Sequence, residues 1–137
     1  MTPADLDLAR RLAAVPGIWR AGMADTMGRT VLTTSDGMCL CGWWNGPMGA
    51  ERPNAGWVQL SGMGAPDLDD AATRGALLDV AREMWGDPSI YLAPCTEIRP
   101  DGTSPVWFVY TGRGRGPIGS ASTEGAAIAL TILAAPR

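Results

Sequence analysis

The chain has 137 residues, 46% of them hydrophobic and 18% charged, with a formal net charge of −3, which fits one domain over residues 1–137 with a modest core. All eleven basic residues are arginines, and the chain contains no lysine and no histidine. Those absences exclude Ser-His-Asp and Cys-His nucleophiles, lysine Schiff bases, a phosphate-loop lysine and histidine-ligated zinc; arginine stays protonated and cannot serve as the base.

The first predicted element is a helix from Thr2 to Val15. Thr2 caps it, Pro3 suits the first helical position, and Asp5 stands where a capping-box acid belongs. Leu8, Leu12 and Val15 form its inward stripe, Arg10 and Arg11 face water, and Pro16-Gly17 stops it. The period then becomes strand-like. Residues 30–34 and 38–44 flank Ser35-Asp36-Gly37, which predicts an antiparallel hairpin. Asn45 to Ala55 is dense in Gly, Pro and Asn and reads as a loop; Trp57 to Leu60 reads as another strand.

A second helix opens at Asp67, Asp69 and Asp70 and buries Leu77, Leu78, Ala81, Met84 and Trp85 before Gly86 and Asp87-Pro88 end it. Ile90 to Ala93, reaching as far as Ile98, and Val106 to Thr111 read as strands joined around Pro100-Asp101-Gly102. A short strand follows at Ile118 to Ala121. Ser122 or Thr123 with Glu124 opens the last helix, with Ala126, Ala127, Leu130, Leu133 and Ala134 inward. The expected fold is a single α+β domain, an antiparallel sheet flanked by about three helices in an α/β/α sandwich-like arrangement.

Four motifs invite chemistry. Gly114-Arg115-Gly116-Pro117-Ile118-Gly119 matches G-x-G-x-x-G, but a dinucleotide site needs the helix to start at the glycines and an acid about 20 residues later. Here a strand follows the glycines and the chain ends first, so a hairpin turn is the plain reading; Arg113, Arg115 and Gly116 remain a candidate anion grip. Cys39 and Cys41 share one face of a strand, roughly 7 Å apart along it, too far for a relaxed disulfide. With Cys95 they offer three thiolates to a metal, but zinc sites draw paired ligands from tight turns, and buried free thiols are the preferred reading. The Asp67, Asp69, Asp70 cluster is explained by capping without a metal, and no cofactor is expected.

Trp43 and Trp44 are the fourth motif. Consecutive strand residues face opposite ways, so one ring leaves the core side unless helices cover both faces. With Met48, Arg52 and Trp57 the pair has the composition of a protein-binding hot spot, whereas Trp85 and Trp107 read as core. The sequence pI near 4.8 argues against duplex nucleic acid. An odd cysteine count points to a reducing cytoplasm. Asp5 and Asp7 interrupt any secretion signal, and the apolar run from Gly125 to Ala135 is too short to span a bilayer, so no membrane association is expected.

The stretches Pro66–Gly75, Arg82–Pro88 and Ala121–Ala127, together with the order helix, hairpin, helix, paired strands, helix, resemble small phage and prophage proteins of the phage ABA sandwich type. The opening Thr2–Leu12 is similar to the start of other prophage proteins from GC-rich bacteria. The resemblance covers about half the chain and carries no catalytic residues. It implies a non-enzymatic accessory protein in the host cytoplasm that binds and inhibits a bacterial host protein, for example as an anti-CRISPR or other anti-defence factor. The alternatives are a module that sequesters an anionic small ligand or nucleotide, and a virion or assembly component that forms a homo-oligomer.

Overall fold

Helix α1 (Pro3–Ala13) starts where Thr2 Oγ1 accepts a hydrogen bond from Asp5 N at 3.1 Å, the expected cap. The Asp5 carboxylate is buried and accepts from the Thr123 hydroxyl at 3.3 Å, so it ties α1 to the start of the last helix. Ala9 and Leu12 point inward, Leu8 is half-buried, and Arg10 and Arg11 are exposed. The structure, a computed structural model, describes residues 1–44, 53–94, 100, 102, 106–112 and 116–136, without the side chains of Trp44 and Pro53.

After α1, Val15, Ile18, Trp19 and Met23 are buried in the core. Residues 22–26 then run between two neighbours. On one side Gly22 N donates to Val31 O and Val31 N to Met23 O, both at 2.8 Å; on the other, Thr26 N donates to Ala65 O at 2.8 Å and Asp67 N to Ala24 O at 2.9 Å. The Asp25 side chain, fully buried, fills the turn between these pairings. Its Oδ1 accepts from Met27 N at 3.1 Å and Arg29 N at 2.9 Å, and its Oδ2 from Arg29 Nε and Gly64 N, both at 3.0 Å.

Strands β1 (Thr30–Ser35), β2 (Met38–Trp44) and β3 (Pro53–Gln59) form an antiparallel sheet in that order. The β1–β2 turn holds Asp36 at φ 48° and Gly37 at φ 76°, left-handed at both positions, which is why Asp-Gly is found there. Strand β3 begins inside the segment that reads as loop. Its Pro-Asn-Ala-Gly start weakens the strand signal, and an edge strand tolerates a proline. A 3-10 turn, Leu60–Gly62, removes Leu60 from the strand.

Helix α2 (Ala71–Trp85) is capped by Asp70, which accepts from Thr73 N at 2.9 Å, while Asp67 Oδ1 accepts from Asp69 N at 3.1 Å. Leu77, Val80 and Ala81 are its buried face; Leu78, Met84 and Trp85 are half-buried at the flanks. Strands β4 (Tyr91–Pro94), β5 (Trp107–Tyr110) and β6 (Pro117–Ala121) make a second antiparallel sheet. The expected extension toward Ile98 lies outside the described residues.

The last helix, α3 (Glu124–Leu133), is capped by Thr123. It is buried at Ala126, Ala127, Ile128, Ala129 and Ile132, whereas Leu130 and Leu133 are half-buried and Ala134 is exposed. The expected inward set changes because α3 packs against α1, α2, β5 and β6 at once, and a helix surrounded by the fold is apolar nearly all round. The fold is α+β, as the sequence implies, with the six strands among the described residues divided between two sheets. Helix α3 serves both cores: Ile128, Ala129 and Ile132 pack with Leu12, Leu77, Val31 and the two cysteines, and Ala127 packs with Ile90 and Val109.

Strand β6 approaches α3 closely. A Cβ on Gly119 would stand 2.1 Å from Thr131 Oγ1 and 3.1 Å from Ala127 O, and Thr131 is pinned there by its own hydrogen bond to Ala127 O at 2.9 Å. Gly119→Ala is expected to lower stability by about 3 kcal/mol, the upper end of overpacking costs. Asp25→Ala, which strands the Arg29 guanidinium and three backbone N–H groups, should cost about 3–5 kcal/mol. Urea unfolding midpoints check both, with exposed Ser120→Ala as the silent comparison.

Candidate functional site

The first sheet has two chemically different faces, set by strand alternation. Cys39 and Cys41 on β2 are fully buried, with Val31 of β1 beside them at the core. Met38 and Leu40 therefore face outward. Leu40 is paired in register with Trp57 of β3 and with Thr33 of β1. The β1 ladder shifts register between Val31 and Thr33, and Leu32 in that bulge lays its δ-carbons 3.8 and 3.9 Å from where a Gly42 Cβ would be.

The outcome is an outward apolar strip running from Leu32 through Leu40 to Trp57, with Met38 and Ala55 beside it. Leu32 is 49% exposed and Trp57 53%. None of the three strands contains a charged residue. Absence of charge marks the centre of protein-binding patches, and solvent-facing sheets that avoid partners usually carry charges instead.

The tryptophans of the sequence reading are placed differently from one another. Trp57 is on the outer face. Trp43 is half-buried, packed against the core, with its ring 3.2 Å from the Cβ position of Gly56. It lines a recess of about 390 Å³ with Met27, Gly28, Arg29 and Val58. One flat contact therefore reaches Trp57 but not Trp43. The backbone of Trp44 closes the ladder opposite Pro53. Met48, Arg52, Cys95, Arg113 and Arg115 lie outside the described residues; Gly116 is exposed, with φ 78°. Trp85 and Trp107 pack against the second core as expected, the Trp85 indole N–H donating to Thr131 O at 2.9 Å.

No protein-family model, curated protein or solved structure matches this chain.

A recess of about 640 Å³ is lined by Arg20, Asp79, Arg82 and Glu83 among others. Its charges are already committed to each other. Arg20 forks onto Glu83 at 3.0 and 2.5 Å, and Arg82 meets Asp79 at 2.7 Å and donates to Ile90 O at 2.9 Å. The hydrogen bond from Arg20 holds the Glu83 carboxyl below its ordinary range, and Glu83 raises Arg20 in return. Glu83 is thus an ionised, paired carboxylate.

Leu32, Leu40 and Met63 carry contacts that sequence reasoning passed over. Leu32 and Leu40 show the period-2 alternation with Val31 and Cys41, so the outer face was readable once the hairpin register was known. Inside the sheet, burial and the hydrogen bond with the Cys41 thiol push Cys39 up to about 12, from 9.0. Above pH 9 the unfolded chain releases this proton and the folded one keeps it, so stability falls as pH rises from 9 toward 12. Below pH 9 the thiol pair should resist iodoacetamide in the folded protein and react fully in urea. Equal labelling rates in both states would show that the thiols are accessible.

Proposed function

We propose that the protein acts by stoichiometric contact, docking the outer face of its first sheet onto a bacterial host protein and blocking it, as a phage or prophage accessory factor directed against a host defence such as a CRISPR effector. The observation that carries the contact mode is Trp57, half-exposed at one end of a charge-free strip with Leu40 and Leu32. A large rigid ring with apolar neighbours is the composition of an interface hot spot. The origin and the class of partner rest on the likeness of Pro66–Gly75, Arg82–Pro88 and Ala121–Ala127 to small phage proteins, a warrant by association rather than by site chemistry. Among the described residues no helix is long and apolar enough to cross a membrane.

A ring this exposed can be removed without opening the core, so Trp57→Ala should keep the wild-type unfolding midpoint. Its effect on binding should be about 2 kcal/mol or more, roughly 30-fold in Kd, with Leu32→Glu similarly damaging. Tyr91→Ala, on the second sheet, should bind as wild type. The check is co-purification from host lysate followed by titration of the captured protein. Retention by both Trp57→Ala and Leu32→Glu would remove this face from the interface. A concentration-dependent dimer abolished by Trp57→Ala would make a second copy of the chain the occupant.

A further inference from the structure

The inner face of the first sheet carries a chemistry the contact surface does not use. Cys39 and Cys41 are two apart on β2, both fully buried, with their sulfurs 3.0 Å apart. That is inside the roughly 3.5–4.0 Å of an apolar carbon–carbon contact, although sulfur is the larger atom. A third sulfur lies beside Cys41, with Met63 Sδ 3.5 Å from Cys41 Sγ. We propose that Cys39, Cys41 and Met63 form a binding site for a soft monovalent metal ion, Cu(I), with two thiolates and one thioether as donors.

The donor set selects the ion. Thiolate and thioether are the ligands that favour Cu(I), whereas zinc in structural sites takes four donors in a tetrahedron. The nearby hard ligand is committed elsewhere, since both oxygens of Asp25 already accept hydrogen bonds from backbone N–H groups and Arg29. Among the described residues no three His, Cys, Asp or Glu side chains are placed to hold a metal, so a harder dication has no complete set here.

Each thiol gives up its proton as the metal–sulfur bond forms, so two protons leave and the site becomes a bis-thiolate of net charge −1. With metal–sulfur lengths of roughly 2.3 Å, as for zinc thiolates, a trigonal set spans about 4 Å between sulfurs, so each thiol turns outward by about half an ångström. Met63 also borders a recess of about 380 Å³ that Arg10, Thr26, Met27 and Gly64 help to line, and Met27 is 67% exposed.

The test titrates the reduced full-length protein anaerobically with Cu(I) against the chromophoric chelator bicinchoninate. Wild type should withdraw one equivalent, and X-ray absorption of that complex should show a shell of sulfur only. Cys39→Ser and Cys41→Ser should each weaken binding by more than the roughly 10–100-fold cost of losing an outer-shell partner. Met63→Leu should weaken it about tenfold, and Cys95→Ser should leave it unchanged. A rise in the wild-type thermal midpoint with Cu(I) would support the site independently of whether the variants fold. The proposal is overturned if wild type leaves the copper with the chelator, if the shell contains nitrogen or oxygen, if Cys95→Ser costs as much as Cys41→Ser, or if the Cys39→Ser, Cys41→Ser double variant matches wild type.

Discussion

The buried carboxylate of Asp25 is the constraint on which the rest of the arrangement depends. Removing a carboxylate from water is costly unless each oxygen is satisfied, and here four N–H groups converge on it. Three are backbone groups from residues 27, 29 and 64, so one side chain pins the turn before β1 to the segment after β3. Arg29 extends the clamp, donating to Gly62 O at 2.9 Å and to Met27 Sδ at 3.1 Å. The first sheet is therefore held at both its entry and its exit, and its cysteine face is set against the core. Thr73 continues the same connection into α2: its hydroxyl accepts from Ala24 N and donates to Asp70, both at 2.8 Å.

Arginine bias acquires a structural meaning from these contacts. Arg20, Arg29, Arg74 and Arg82 each make several directed bonds, Arg74 reaching Leu68 O at 3.2 Å, Asp69 O at 2.8 Å and Glu124 at 3.1 Å. A planar fork of five donors can join two or three acceptors on different elements at once, which a lysine ammonium on a flexible stem does poorly. As composition, eleven arginines without lysine or histidine only exclude chemistries. In the fold, four of them cross-link the chain to itself. They are spent on cohesion, and the outward face of the first sheet is left uncharged.

Local signals in the sequence were sufficient for the helices. Thr2, Asp70 and Thr123 each cap as their residue types imply, because a cap is decided within one turn of chain. The Asp36-Gly37 hairpin was legible for the same reason. The division of the strands between two sheets was not, since it depends on which distant segments pair, and period-2 alternation is silent about that. Nor was Asp25: in Asp-Thr-Met-Gly-Arg an acid reads as a solvent-facing turn residue, and only burial by residues 64–66 converts it into a core group. Trp43 and Trp57 were grouped by composition, yet alternation across the β2–β3 register puts them on opposite sides. The register needed the start of β3, which Pro53 and Gly56 disguised as loop.

One strand thickness separates the two chemistries of the first sheet. Every second residue of β2 faces sulfur and core, and the residues between them face solvent with leucine and methionine. Because a strand exposes its alternate positions independently, a change at Leu40 need not be felt at Cys41 unless the backbone itself moves. The backbone is what Asp25 and Arg29 restrain. Contact through the outer strip and metal binding on the inner face can thus coexist in one small domain without sharing a side chain, and what couples them mechanically is the buried ion pair at the sheet's end. A perturbation that loosened that pair would disturb both faces together, whereas substitutions on either face alone act locally.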